Sequence, residues 1–158
     1  MQVIRAAVWQ TSLWVLPPQT NPLLHLDQAT FFLFNPKTLG FEKQRYTANL
    51  WEQHKPTTVS LTPMQLSVIM GDAHTAKLLA DFDVVLLGGQ ALSGEVESRL
   101  ISNFPQTRFI HTFGSTETAS HFAGREIIPG NSDYCIAPDT QISTNEKGEI
   151  QVCNPTTK

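Results

Sequence analysis

The order of apolar and polar positions sets out a series of short elements. Val3, Ile4, Ala7 and Val8 recur at helical spacing, so the chain opens on a helix end. Ser12–Leu16 then reads as a buried strand, stopped by Pro17 and Pro18. Phe31–Phe34 is a short strand halted by the Asn35-Pro36 turn, and so dense a set of phenylalanines has to pack under something. Phe41, Tyr46 (or Arg45), Leu50 and Trp51 follow a helix-like spacing, which predicts a helix over 41–54 ended by Pro56.

From Thr57 the pattern becomes regular. Thr57–Leu61 is rich in β-branched residues and reads as a strand. Pro63 suits a first helical turn, Met64–Met70 continues the helix, and Asp72 caps a further one through Leu79. Val84–Leu87 is wholly apolar, the pattern of a strand covered on both faces. Ser93 is an N-cap with Glu95 and Glu97 at the positive end of the helix dipole, and Val96, Leu100 and Phe104 form one stripe. Arg108–Thr112 is the next strand. Strand, helix, strand at these distances predicts an α/β fold, a mostly parallel sheet with flanking helices in βαβ units. After residue 117 the helical period vanishes. Short runs at 119–123, 134–137, 141–143 and 149–153, parted by Pro-Gly, Pro-Asp and Lys-Gly, predict a small antiparallel β subdomain. The expected division is 1–125 and 126–158.

Composition narrows the function. The 158 residues suit one domain. Apolar residues are 41% of the chain, which argues against disorder. Charged residues are only 16%, against about 25% in typical soluble domains, as if some surface were normally covered. A net charge of −3 without any Lys/Arg run argues against nucleic acid as partner. No stretch approaches the ~18 apolar residues of a membrane span, and the first residues lack the pattern of a secretory leader. Cys135 and Cys153 form no C-x-x-C, which excludes a disulfide scaffold or zinc ribbon and suits the cytoplasm. Both cysteines are expected as buried strand residues.

Two segments carry candidate chemistry, each after an apolar strand. Gly88-Gly89-Gln90-Ala91-Leu92-Ser93 permits a tight turn and close backbone approach by a flat ligand; the plainer reading is a βα turn that needs glycine. In Thr112-Phe113-Gly114-Ser115-Thr116-Glu117-Thr118-Ala119-Ser120-His121, hydroxyls beside a glycine suit phosphate oxygens, the carboxylate suits Mg²⁺, and the aromatic offers a stacking face. The plainer reading is a polar loop that satisfies its own backbone. The histidines His25, His54, His74, His111 and His121 include no i, i+4 pair, and a lone histidine is most simply structural; only His121 falls in a candidate segment.

Phe113-Gly114-Ser115-Thr116-Glu117 resembles the aromatic-Gly-x-Thr-Glu signature of the adenylate-forming enzymes, and Gly88-Gly89-Gln90-Ala91-Leu92 resembles their Gly-Gly-x-x-Leu element. Val59–Leu66, Val3-Ile4-Arg5-Ala6 and Thr116–His121 are similar to the o-succinylbenzoate–CoA ligases of menaquinone synthesis. The resemblance implies a ligase that joins a small carboxylic acid to the ATP α-phosphate, releasing pyrophosphate, and then lets CoA displace AMP. Thr116 and Glu117 would be catalytic, Thr116 on the α-phosphate and Glu117 on Mg²⁺. Phe113 would stack on adenine, where the family usually has Tyr, with Gly88, Gly89, Gln90, Gly114 and Ser115 completing the ATP/AMP site. Gln90 stands where Ala is more usual. Thr62, Gln65, Ser120 and His121 would face the acyl group.

The family's Ser/Thr/Gly-rich phosphate loop, its ribose-binding Asp and its C-terminal catalytic Lys have no counterpart in this sequence. The resemblance therefore implies a central piece of a larger N-terminal domain, inactive alone, whose apolar surface leaves a homodimer open. The competing reading is a non-catalytic adenylate-binding or scaffold domain with the same fold.

Overall fold

A computed structural model describes residues 10–114, 121–138 and 140–153, and of His121 the backbone alone. The helix end expected at Val3–Val8 lies outside these residues. The chain forms two compact units, one drawing on residues up to Val59 and on Met64–Phe82, the other on Ser60–Pro63 and Asp83 onward.

The first unit contains an antiparallel meander, β1 (Leu13–Val15), β2 (Thr30–Asn35) and β3 (Gly40–Arg45), in the order β1-β2-β3. A 3-10 segment, Pro22–Gln28, links β1 to β2. Helices α1 (Ala48–Gln53), α2 (Pro63–Gly71) and α3 (Ala73–Leu79) follow. The phenylalanine run is β2, and its cover is aromatic. Phe31 is buried, with the Trp14 ring 4.6 Å and the His54 ring 4.9 Å away. Trp14 also meets Trp51 edge-on at 5.1 Å and donates its indole N–H to the His54 carbonyl at 2.8 Å. Leu23, Leu66, Ile69 and Leu79 of the same unit are also fully buried. Each such side chain removed from water contributes roughly 1.5–3 kcal/mol.

The helix expected over 41–54 is corrected here. Gly40–Arg45 is a strand, paired with β2 from Asn35↔Gly40 to Thr30↔Arg45, and only Ala48–Gln53 is helical. The turn between β2 and β3 begins with Asn35, whose side chain accepts from Lys37 N, and ends at Leu39 with φ +51°. Phe41 faces Phe34 across the strands, ring to ring at 5.6 Å. An outer strand of Glu42, Lys43, Gln44 and Arg45 has no apolar alternation to announce it, and pairing with β2 overrides the helical spacing. Thr47 then caps α1, accepting from Leu50 N at 3.1 Å.

The second unit is built on a five-stranded sheet in the order β4 (Thr58–Leu61), β5 (Val84–Leu87), β6 (Arg108–Gly114), β7 (His121–Glu126), β8 (Cys135–Ile136). β5 and β6 are parallel, in register from Val84↔Arg108 to Leu87↔His111. Helix α4 (Gly94–Asn103) makes the crossover, capped by the Ser93 hydroxyl on Val96 N, with Glu95 and Glu97 in its first turn. Leu100 and Phe104 bury that helix's stripe, and Phe104 meets Phe109 of β6 edge-on at 5.8 Å. Val85 and Leu87 are fully buried, whereas Val84 and Leu86 on the other face are only partly covered, short of the two-sided cover that the apolar run predicts. The antiparallel strands are of two kinds. β7 and β8 extend the same sheet, whereas β9 (Gln141–Thr144) and β10 (Ile150–Cys153) form a separate hairpin.

The expectation for the cysteines is also corrected: Cys135 and Cys153 are both exposed. Cys135 belongs to a two-residue strand at the sheet's edge, and Cys153 to a hairpin with little apolar cover. Among the described residues no helix is long and apolar enough to cross a membrane.

Candidate active site

The parallel pairing of β5 with β6 puts their carboxyl ends side by side. Leu87 is opposite His111, so the glycine turn after β5 and the Phe113-Gly114 end of β6 emerge together. In open α/β sheets ligands bind at such an edge. Gly88 donates its N–H to the Leu61 carbonyl at 3.2 Å, which aligns the end of β4 with the same edge. Gly89 has φ +88°, a left-handed conformation in which any side chain would be strained. The Leu87 carbonyl accepts from the buried Thr112 hydroxyl at 3.0 Å. That bond locks the two strand ends to one another.

Phe113 is half exposed, with its ring upright on Phe122 (5.4 Å, 84°) and edge-on to Tyr134 (6.4 Å, 68°). The register between β6 and β7 slips at this point: Phe113 faces Ala123 and Gly114 faces His121, leaving Phe122 as the extra residue. Such a bulge re-aims side chains at a sheet's rim. The outcome is an aromatic surface beside a glycine turn, which suits a flat heteroaromatic ligand.

Beneath this surface lies a polar assembly that the sequence did not announce. His111 is buried, its Nε2 is 2.9 Å from the Gln90 carbonyl and its Nδ1 is 2.6 Å from the Tyr134 hydroxyl. A carbonyl can only accept, so the neutral ring carries its proton on Nε2 and Tyr134 donates to Nδ1. Arg125 lies over the Tyr134 ring, 5.5 Å from its centroid. The same guanidinium donates to both carboxylate oxygens of Glu97 and, at 2.8 Å, to the Asn131 carbonyl. The hydrogen bond to Glu97 holds the pKa of Arg125 above its ordinary value, against the opposing effect of burial. An open groove of about 560 Å³ runs alongside, lined by Gly94, Glu97, Ile101, Arg125, Asn131 and Tyr134. No local spacing links His111 to Tyr134, 23 residues on; only the route of β7 and the following loop brings them together.

Of the expected site residues, Gly88, Gly89, Gln90, Phe113 and Gly114 meet at this edge. Ser115, Thr116, Glu117 and Ser120 lie outside the described residues. His121 begins β7 opposite Gly114, and its side chain is not described. Thr62 is exposed, directly after β4. Gln65, on α2, donates to the Gln19 carbonyl at 3.0 Å within the first unit. Among the described residues no group of His, Cys, Asp or Glu side chains is placed to hold a metal ion.

The model of the AMP-binding enzyme family matches residues 23–154. The chain belongs to the AMP-binding enzyme family. Among curated proteins, this family member is similar to the D-alanine–D-alanyl carrier protein ligase of Bacillus velezensis, with 29% identity over 137 residues, 76% of this chain and 26% of the relative. It is also similar to the 4-coumarate–CoA ligase-like 2 protein of Arabidopsis thaliana, 26% identical over 123 residues, 66% of this chain and 22% of the relative. It thus spans about a quarter of these relatives' length. Two solved structures share the fold. An acyl-CoA synthetase (AMP-forming)/AMP-acid ligase II-like protein from Dyadobacter fermentans aligns at TM-score 0.61 and 23% identity, covering 89% of this chain and 33% of that one. An anthranilate–CoA ligase in complex with anthranoyl-AMP aligns at TM-score 0.55 and 15% identity, covering 67% and 23%.

Proposed function

We propose that this AMP-binding family member supplies half of the adenylate site of an acid–thiol ligase. The observation that carries the reading is the adjacency of the Gly88-Gly89-Gln90 turn and the Phe113-Gly114 strand end on parallel neighbours. Phe113 offers adenine a ring face, and the glycine turn lets backbone come close on the same edge. Thr116 and Glu117 continue from Gly114, where a hydroxyl suits the α-phosphate and a carboxylate suits Mg²⁺. In the reaction a carboxylate oxygen attacks the α-phosphorus, pyrophosphate leaves, and a thiol, CoA in this reading, then displaces AMP. Such a ligase works in the cytoplasm, where ATP and CoA are supplied.

o-Succinylbenzoate is the proposed acid, on the strength of the strings Val59–Leu66 and Thr116–His121, with Thr62, Gln65, Ser120 and His121 facing the acyl group. Calorimetric titration of the chain with AMP tests the site. Thr116→Ala and Glu117→Ala are each expected to weaken binding about tenfold, the loss of a charge-assisted contact. Binding indifferent to both substitutions would count against the assignment. Thermal shifts with non-hydrolysable o-succinylbenzoyl, 4-coumaroyl and D-alanyl adenylate analogues test the acid, and the largest shift is expected from the first.

A further inference from the structure

The Gln90 turn is a short exposed loop, yet its carbonyl is held from below by a buried histidine. We propose that His111 and Tyr134 form a latch that fixes the Gly88-Gly89-Gln90 turn, so that His111 is a positioning residue of the site and not a ligand contact. The inference about nucleotide rests on the reading of this edge given above; the inference about the turn does not.

Both ring nitrogens of His111 are already engaged. Nε2 donates to Gln90 O at 2.9 Å, and Nδ1 accepts from Tyr134 at 2.6 Å. With His111 on β6 and in register with Leu87, the ring spans from one strand to the turn that leaves the other. The Gln90 carbonyl, which can only accept, places the ring proton on Nε2, and the Tyr134 hydroxyl, which can donate or accept, answers by donating to Nδ1. Tyr134 is itself held, under Arg125 and edge-on to Phe113. Arg125 is anchored to Glu97 on α4. One continuous set of contacts therefore runs from the first turn of α4 through Arg125, Tyr134 and His111 to the Gln90 carbonyl. The same tyrosine braces the half-exposed Phe113, so one side chain steadies both the aromatic surface and, through His111, the glycine turn. Gly89 has no side chain to pack and a left-handed backbone, so it gives the turn no rigidity of its own. The latch supplies it.

The conservative variants separate the two halves of the latch. The Gln side-chain nitrogen reaches the place of His Nε2, whereas the Asn side-chain oxygen reaches only the place of Nδ1. His111→Gln thus keeps the bond to Gln90, and His111→Asn keeps only the bond to Tyr134. Backbone ¹⁵N relaxation of the ligand-free chain reads the turn directly. Order parameters at Gly89–Ala91 are expected to fall from about 0.85 toward 0.6 in His111→Ala and His111→Asn, and only part of the way in His111→Gln, which keeps the bond to Gln90 without the brace from Tyr134. Tyr134→Phe, which removes one oxygen atom, is expected to give an intermediate fall and remains informative if His111→Ala does not fold. The β9–β10 hairpin, remote in sequence and in a separate sheet, should not change. AMP affinity should follow the same ranking, about five- to tenfold weaker for Ala and within about twofold for Gln. Equal order at 89–91 in the parent and Ala chains, or a Gln variant as loose as Ala, overturns the latch. A loosened turn with unchanged AMP affinity overturns its role in the site. A parent chain that binds no AMP defeats the nucleotide reading alone, and the relaxation data then decide the latch by themselves.

Discussion

The two units are held in different ways. In the first, Trp14, Phe31, Trp51 and His54 pack ring on ring, and one indole hydrogen bond orients the cluster. In the second, the end of the sheet is fixed by directed bonds: Thr112 to Leu87, His111 to Gln90, Tyr134 to His111, Arg125 to Glu97. Apolar packing is non-directional and sums into stability. A hydrogen-bond network contributes less net energy but specifies where each atom sits. A site that must place a phosphate within tenths of an ångström needs the second kind of order, and the network is found where the candidate site is.

The largest test of this contrast is a pair of phenylalanines. Phe31 is 1% exposed and Phe113 is 50% exposed. Phe31→Ala is expected to cost about 3–5 kcal/mol in urea denaturation, the usual loss for a packed aromatic side chain. Phe113→Ala should cost within about 1 kcal/mol, since its ring already faces solvent. AMP affinity should show the reverse order once the folded fraction is accounted for. If Phe113→Ala destabilised the chain as much as Phe31→Ala, the ring would be core and the contrast would fail.

A smaller effect is expected within the network. Arg125→Met keeps most of the stem volume and leaves the Glu97 carboxylate without its partner. Loss of one member of a fully buried pair costs about 3–5 kcal/mol, but the Glu97 side chain is 22% exposed and can rehydrate. A loss of about 2–3 kcal/mol in the same denaturation experiment is expected, together with a looser Tyr134. A loss below about 0.5 kcal/mol would place Arg125 among ordinary surface charges and remove the outer end of the network.

Much of the directional framework was legible because it rests on local chemistry. Ser93 and Asp72 cap the helices that their positions announce, and Val84–Leu87 is the strand its composition predicts, although only Val85 and Leu87 are buried and Val84 and Leu86 are partly exposed. The glycines and Phe113 could be singled out because both follow apolar strands. The helix misread over 41–54 shows the limit: β3 exists through its pairing with β2, and its own residues carry no alternating signal. His111 shows a different limit. Its position was visible, but its partners lie 21 and 23 residues away and are joined by the sheet's topology. A solitary histidine gives no sequence sign of whether both nitrogens are engaged. The exposure of Cys135 and Cys153 likewise follows from which strands end up at an edge.

The first unit is not wholly apolar, and its polar joint offers the mildest test. The Asp72 carboxylate accepts from Thr75 N at 2.8 Å, while the single Thr75 hydroxyl proton is shared between the Ile69 carbonyl at 3.0 Å and the Asp72 carboxylate at 3.1 Å, and the hydroxyl oxygen accepts from the Asn21 amide. Hydrogen bonds to the ionised form hold the pKa of Asp72 below its ordinary value of 3.8. An acid whose folded pKa is lowered stabilises the fold fully above its unfolded value and loses that contribution as pH falls through the folded one. Asp72→Asn keeps a capping acceptor without the titration. The stability gap between parent and Asp72→Asn should therefore be constant between about pH 5 and 7 and close on acidification below about pH 4. Glu126, held low by Arg108, titrates in both chains and cancels in the difference. Urea midpoints at several pH values read the gap. A gap that widens in acid would mean that Asp72 is stabilised in its protonated form, and the joint would then resemble neither the aromatic cluster nor the directed network of the second unit.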